Sequence, residues 1–307
     1  MMNKPLVSIC CLTYNHAPFV RKCLDGFLMQ KTTFPIEILI HDDCSTDGTD
    51  IIIQEYTEKY PDIIKPLFET ENKYSNGYRG KMDITFNYSR AQGKYIASCE
   101  GDDYWTDPLK LQKQVDFMEA NPEYSVTFHR CKHYNINDGS LKDDLCGFLF
   151  QNNEEGIDIT VDMFFEKWIT QPFTMVFRVD KIDFKKMPKY KYYRDMHEIY
   201  HLLMNGKGYL FAFEAGVRIM HIGGIHSLLS EYNASTIAYS ISSELYKYNK
   251  NMKVKRYYYM TLRWCFDVAI RNNKMRLALK YNNDLLLLRA SFKLYLKNLM
   301  KLFQINL

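Results

Sequence analysis

The chain lacks any apolar run long enough to cross a bilayer. Its longest aliphatic stretch near the C-terminus, Leu285 to Leu288, has four residues, where about 20 are needed for a spanning helix. Met1 leads through Asn3, Lys4 and Pro5 straight into a strand-like run. No basic segment followed by an apolar core stands there, so no secretory signal is read. The eight cysteines (10, 11, 23, 44, 99, 131, 146 and 265) show no paired spacing of a zinc site. Several lie inside apolar strands, as buried free thiols do, and a reducing cytoplasm is the expected location. Internal repeats and low-complexity segments are also missing, which excludes repeat architectures.

What is present is a chain of 307 residues, 47% apolar and 25% charged, able to bury one large core or a core with an appendage. The net charge of +4 hides an asymmetry. Lys247 to Lys301 carries nine Lys and five Arg against Asp267 and Asp284, a net +12, which leaves −8 for the remainder. An acidic body with a basic tail points to an anionic partner surface for the tail.

The chain is organised around Gly93 to Gln112. Tyr95 to Cys99 is a short apolar run between Gly93 and Glu100-Gly101, the pattern of a strand buried on both faces. Glu100, Asp102 and Asp103 follow directly. Asp107 and Pro108 then open a helix with Leu111, Val115 and Met118 along one face. Turn and cap chemistry explains Asp107 but not three acids at a buried strand's end, which repel one another unless a cation joins them. A hard divalent ion, Mn²⁺ or Mg²⁺, shared with substrate phosphates fits that set.

Before this stretch, strand and helix alternate. Strands are expected at Leu6–Leu12, Ile36–Ile40 and Ile63–Phe68, and helices at Phe19–Met29, Thr49–Tyr60 and Lys81–Gln92. Four such alternations predict an α/β fold with a mostly parallel sheet and a site at the strand C-termini.

The segments LVSICCLTYN, EILIHDDCSTDGT and AQGKYIASCEGDDYWTDPLKLQKQVDFME together resemble the family-two glycosyltransferases of the GT-A fold, over roughly the first 120 residues. The resemblance implies a nucleotide-diphosphate-sugar donor, a divalent metal and inversion at the anomeric carbon. It implies that Thr13, Asn15 and Asp43 line the nucleotide pocket. The family's carboxylate motif is usually Asp-x-Asp-Asp; here Glu100 takes the first place, which leaves Asp102 and Asp103 as the firmer metal ligands, with Asp102 also near the nucleotide. Independently, the Asp43 carboxylate can accept from an imide N–H such as that of uracil. Arg79, in a polar loop, has the donor fork for a pyrophosphate, or is simply solvated.

Further strands are expected at Tyr124–Tyr134, with His129 and His133 on a strand face, and at Phe173–Val179. Asp195 precedes a helix with Ile199, Leu202 and Leu203 inward. The resemblance implies an acidic residue at such a place facing the sugar acceptor, and single displacement needs a base for the acceptor hydroxyl; an N-cap aspartate is the plain alternative. The same helix spells His197-Glu198-Ile199-Tyr200-His201, the His-Glu-x-x-His pattern of zinc metallopeptidases, with His221 or Glu214 as an imaginable third ligand. After the apolar run Leu210–Met220, His221 matches the place where proteins of this fold often complete the metal shell. A turn histidine is the competing reading.

From Ser230 the composition shifts to Tyr, Lys, Arg and Leu in helical patterns. Residues 1–229 are therefore expected as a catalytic domain and 230–307 as a helical basic extension. Leu288, Phe292, Tyr295, Leu299 and Leu302 make an apolar line beside Arg289, Lys293, Lys297 and Lys301. That line either lies on an anionic membrane surface or packs on the protein. The function expected is transfer of a sugar, UDP-linked, to a saccharide or lipid-linked acceptor in polysaccharide assembly at the inner face of the membrane. The alternatives are a zinc hydrolase and a non-catalytic sugar- or membrane-binding relative. No nucleic-acid partner is expected.

Overall fold

A computed structural model describes residues 4–150, 154–167, 169–221, 229–288 and 292–302. The chain forms two compact units, Met1–Lys189 with Tyr193–His221, and Tyr190–Tyr192 with Ile222–Leu307.

The first unit begins with β1 (Val7–Thr13), α1 (Val20–Leu28), β2 (Ile36–Asp42), α2 (Thr49–Lys59) and β3 (Ile64–Phe68). β1 is buried almost throughout, as strands covered on both faces are. The helix expected over 81–92 is instead two short turns, Asp83–Asn87 and Tyr88–Arg90. Asn87 is fully buried there and donates to the Cys11 carbonyl at 3.1 Å. β4 (Tyr95–Ser98), the two-residue β5 (Tyr104–Trp105) and α3 (Lys110–Ala120) follow. The helix starts later than Asp107-Pro108 predicted: Asp107 Oδ1 accepts from Leu109 N at 2.8 Å and closes a turn ahead of it. Next come β6 (Tyr124–Asn135), β7 (Leu141–Asp143), β8 (Gly156–Ile159), α4 (Val161–Glu166), β9 (Val176–Arg178), α5 (Asp195–Met204) and β10 (Lys207–Met220). The strand expected over 173–179 shortens because Pro172–Thr174 forms a helical turn.

The sheet order among the described residues is β3-β2-β1-β4-β9-β6-β10-β5, with β7 on β6 and β8 on β10. It is mixed rather than mostly parallel. β3, β2, β1 and β4 run parallel, whereas β9 is antiparallel to both β4 and β6. The chain leaves β1 towards β2 and β3, then returns to place β4 on the other side of β1. That reversal opens a crevice at the carboxyl ends of β1, β2 and β4. Under it, Ile9, Cys11, Cys23, Phe27, Ile38, Ala97, Trp105, Leu111 and Val115 pack into one buried cluster.

The second unit contains α6 (Glu231–Tyr248), α7 (Met252–Arg271), α8 (Met275–Leu287) and α9 (Phe292–Leu302). Ser230 and Asn251 cap α6 and α7 by accepting from Asn233 N and Val254 N, as short polar side chains do at helix starts. Tyr258, Leu262, Phe266, Tyr281, Leu285, Leu288 and Leu302 belong to its core. Two members of the apolar line, left open between a membrane surface and packing on the protein, Leu288 and Leu302, are thus buried inside this unit. Arg289 lies outside the described residues, as does the Phe292 side chain. No described helix is long and apolar enough to cross a membrane.

Candidate active site

The turns after β1 and β2 are tied together by their own side chains. Thr13 Oγ1 donates to Asp42 Oδ1 at 2.8 Å, and Ser45 closes on the same carboxylate through its N–H and hydroxyl. Asn15 adopts φ 55°, a left-handed conformation that Asn tolerates. Its Oδ1 accepts from Thr46 N at 2.9 Å. Asp43, buried at this junction, accepts from the amides of Lys73 at 2.6 Å and Tyr74 at 3.0 Å. Thr13, Asn15 and Asp43 therefore sit together at the crevice, each with a structural bond. Arg79 is exposed on the loop that follows, its guanidinium 5.4 Å from the Tyr74 ring centroid.

Beyond β4 the chain turns through Glu100-Gly101-Asp102-Asp103. Glycine is required there, since a Cβ at 101 would lie 2.5 Å from Thr13 Cγ2 and 3.0 Å from His16 Nδ1. Asp102 Oδ2 accepts from His221 Nε2 at 3.0 Å, and His16 Nε2 stands 4.0 Å from the same oxygen. Burial raises the Asp102 carboxyl, but the His221 bond and the neighbouring His16 outweigh it and hold the acid below its usual range. Among the described residues, Asp102 Oδ1 is buried with no hydrogen-bond partner. The His221 ring packs on Phe19 with centroids 4.7 Å apart. Asp103 turns the other way: its Oδ1 accepts from Ile219 N at 2.9 Å, pinning β10, and burial with the Asp102 charge pushes its carboxyl well up. Glu100 reaches solvent, yet the surrounding protein strips part of its hydration. With the charges of Asp102, Asp83 and Asp195, that pushes its carboxyl up to about 8.

Asp102 and His221 fit one side of a divalent-cation site, a buried carboxylate oxygen with no partner among the described residues beside an imidazole. Asp102 and His221 are the convergent pair. Among the described residues no ready-made group of three ligands stands assembled.

Asp195 is the first residue of α5, and the cap position belongs to Arg194. The Asp195 Oδ1 accepts from Met196 N at 2.8 Å, and its charge is among those raising Glu100. Among the described residues, the zinc pattern on the same helix is not part of a group of three ligands. His197 Nδ1 accepts from Arg194 N at 3.1 Å and its ring stacks on Tyr193, so the residue serves the helix start. The third ligands imagined for it are engaged elsewhere: Glu214 pairs with Arg130 and Lys132, and His221 with Asp102.

The sequence model described as Glycosyl transferase family 2 matches residues 8–183. The chain belongs to that family. Glycosyl transferase family 2 relatives differ in how much of the chain they share. An uncharacterized protein of Mycobacterium tuberculosis is 46% identical over 123 residues, 40% of this chain and only 34% of its own length. The putative teichuronic acid biosynthesis glycosyltransferase TuaG of Bacillus subtilis is 29% identical over 275 residues, 88% of this chain and 96% of TuaG. Among solved structures, S. aureus TarS 1-349 in complex with UDP-GlcNAc has a TM-score of 0.62 at 17% identity, covering 91% of this chain and 80% of that one. The mannosyltransferase PcManGT of Pyrobaculum calidifontis, in complex with GDP-Man and Mn²⁺, has a TM-score of 0.54 at 15% identity, covering 99% and 89%. At these identities the structures show the GT-A fold.

Two residues at the site escaped sequence reasoning. His16 follows Asn15 in the β1 turn, and that adjacency was its available signal. Asp83 was hidden inside an expected helix; burial pushes its carboxyl up to about 7 against a bond from Asn87.

Proposed function

We propose that the chain is an inverting, metal-dependent glycosyltransferase that moves a sugar from a UDP-linked donor to a saccharide or lipid-linked acceptor in polysaccharide assembly. The observation that carries this reading is the Asp102–His221 pair at 3.0 Å, with Asp102 Oδ1 buried beside it and without a partner among the described residues. In this reading Asp102 and His221 hold a divalent ion, with Asp103 and Glu100 behind them. Such an ion would supply charge neutralisation for the departing diphosphate. Thr13, Asn15 and Asp43 seat the nucleotide, and Arg79 answers the pyrophosphate. Asp195 takes the acceptor hydroxyl's proton on the side opposite the leaving group.

The full-length similarity to TuaG supports a polysaccharide setting. A further relative, 36% identical over 115 residues, is an Escherichia coli glucosyltransferase whose name gives UDP-Glc as donor and a diphosphoundecaprenol-linked sugar as acceptor; it supports the UDP and lipid-linked choices. The catalytic domain of this proposal is 1–229, with 230–307 as a basic extension working at the inner face of the membrane. A screen of nucleotide sugars for Mn²⁺-dependent release of nucleoside diphosphate tests it. Release from a UDP-sugar that EDTA abolishes is expected. No release from any donor, with acceptor extract present, would leave only the non-catalytic relative.

A further inference from the structure

The loop held at its start by Asp43 ends against the residues that carry Asp195. At its start, both Asp43 carboxylate oxygens accept loop amides, from Lys73 and Tyr74, and Asn72 Nδ2 donates to the Asp43 carbonyl at 3.2 Å. At its end, Tyr78–Lys81 closes a turn through Lys81 N to Tyr78 O at 2.8 Å. Arg79 at φ −46°, ψ 122° and Gly80 at φ +78° make it a type II turn, whose third residue needs positive φ. Gly80 packs directly on the chain ahead of α5. A Cβ at 80 would overlap the Tyr193 carbonyl oxygen and stand 2.6 Å from Arg194 Nη1.

Tyr193 and Arg194 cannot yield independently of Asp195. Arg194 N donates to His197 Nδ1, Tyr193 stacks on the His197 ring, and α5 is anchored by buried Ile199, Leu202 and Leu203. A displacement of the 193–194 backbone therefore moves the helix start and its first residue. We infer that the Tyr78–Lys81 turn is a strut that sets the acceptor base against the nucleotide end of the crevice, with Gly80 as its bearing surface and positioning residue. The inference rests on the reading of Asp195 as the base and Asp43 as a nucleotide contact. Base catalysis depends on the distance from carboxylate to acceptor hydroxyl, and a misplacement of about 1 Å can cost about 100-fold.

The test compares two glycines in the same loop. Gly77 has φ +102° and no described atom within 4 Å of a Cβ, so Gly77→Ala adds backbone strain without contact to described residues, whereas Gly80→Ala adds both. With the donor–acceptor pair found by the nucleotide-sugar screen, Gly80→Ala is expected to lower transfer kcat about tenfold or more, with UDP affinity by calorimetry within about twofold of wild type. Gly77→Ala is expected to keep kcat within about twofold. If Gly80→Ala does not fold, Gly80→Asn makes the same contact in a residue that tolerates positive φ. Equal kcat losses in the Gly77 and Gly80 variants, or a Gly80 loss matched by lost UDP affinity, would overturn the strut. Asp195→Asn separates this from the underlying reading. Full transfer in that variant removes the base assignment, whereas an inactive Asp195→Asn beside a fully active Gly80→Ala removes only the strut.

Discussion

Asp102 Oδ2 accepts a hydrogen bond from His221 Nε2 across 119 residues of sequence, and the two side chains close the gap between the turn after β4 and the end of β10. Asp103, one residue on, uses Oδ1 to hold Ile219 N in that same strand. Neighbouring acids of one motif thus do different work. Asp102 keeps one buried oxygen without a partner among the described residues, and Asp103 fixes the strand that delivers His221.

That division predicts different variants. Asp102→Ala and His221→Ala should lose Mn²⁺-dependent turnover and weaken Mn²⁺ binding by electron paramagnetic resonance, while melting close to wild type. Asp103→Ala leaves the buried Ile219 amide without an acceptor and should cost about 1–3 kcal/mol of stability. Asp103→Asn retains a carbonyl acceptor and should recover most of it. Undiminished Mn²⁺ affinity in both the Asp102 and His221 variants would show that the ion binds elsewhere.

Asp43→Ala should weaken UDP binding by about 1–3 kcal/mol, through the lost base contact and the two amides it orphans. Calorimetry measures this directly. Limited proteolysis should show new cleavage near residues 73–80, because Lys73 and Tyr74 lose their shared acceptor. A UDP affinity equal to wild type would take Asp43 out of the nucleotide pocket and leave it as the loop's anchor.

Asp195→Asn should slow transfer by orders of magnitude and leave UDP affinity almost unchanged, since a base acts in the chemical step. His197→Ala should instead act mainly on stability, by freeing the start of α5. Transfer at the wild-type rate in the Asp195 variant would move the base to another group, and Asp83 is the next carboxylate of the cluster.

Glu198 gives a pH prediction. It is 5% exposed, and burial followed by the Asp83 charge pushes its carboxyl up to about 8 from 4.5. Between those values the folded protein keeps a proton that the unfolded chain releases. Unfolding then liberates a proton, so this group's contribution to stability is full below about 4.5 and is lost as pH rises through about 8. Glu198→Gln removes the titration. Its melting temperature relative to wild type should rise steadily from pH 5 to pH 8. A constant difference across that range would mean that Glu198 does not keep its proton in the fold.

Much of this was legible because it follows local rules. The β1, β2 and β4 cores are apolar runs between turn residues, and three acids after a buried strand mark the candidate site at its end. What the sequence concealed depends on long-range packing. Asn87 reaches the Cys11 carbonyl across 76 residues, and the 81–92 segment folds as separate turns rather than as the helix its composition suggests. The antiparallel β9 between β4 and β6 carries no pattern that distinguishes it from a parallel strand. His16 and Asp102 meet only because the sheet reverses direction at β1, a fact of topology that no spacing encodes.

The same distinction governs the tail. Its helical pattern was legible, but which side faces outward was not, because Leu302 is 3% exposed and Leu288 7% exposed in the helical unit's own core. Asn298, also buried, donates to Asn282 Oδ1 at 2.9 Å, and Lys301 pairs with Asp267. Truncation before Lys274 would remove α8 and α9 and uncover Tyr258, Leu262 and Phe266, so it should unfold the helical unit whether or not the tail binds lipid. The outward groups are Leu287 at 81% and Leu296 at 45% exposure, with Lys293 and Lys297 beside Leu296. If these dock on an anionic bilayer, each lysine adds about 1 kcal/mol. The full chain should then sediment with phosphatidylglycerol-rich vesicles at low salt. Lys293→Glu with Lys297→Glu should abolish sedimentation without lowering the melting temperature, since both side chains are exposed. An intact protein that stays in the supernatant at low salt would confine the basic face to solvent and end the membrane reading of the tail.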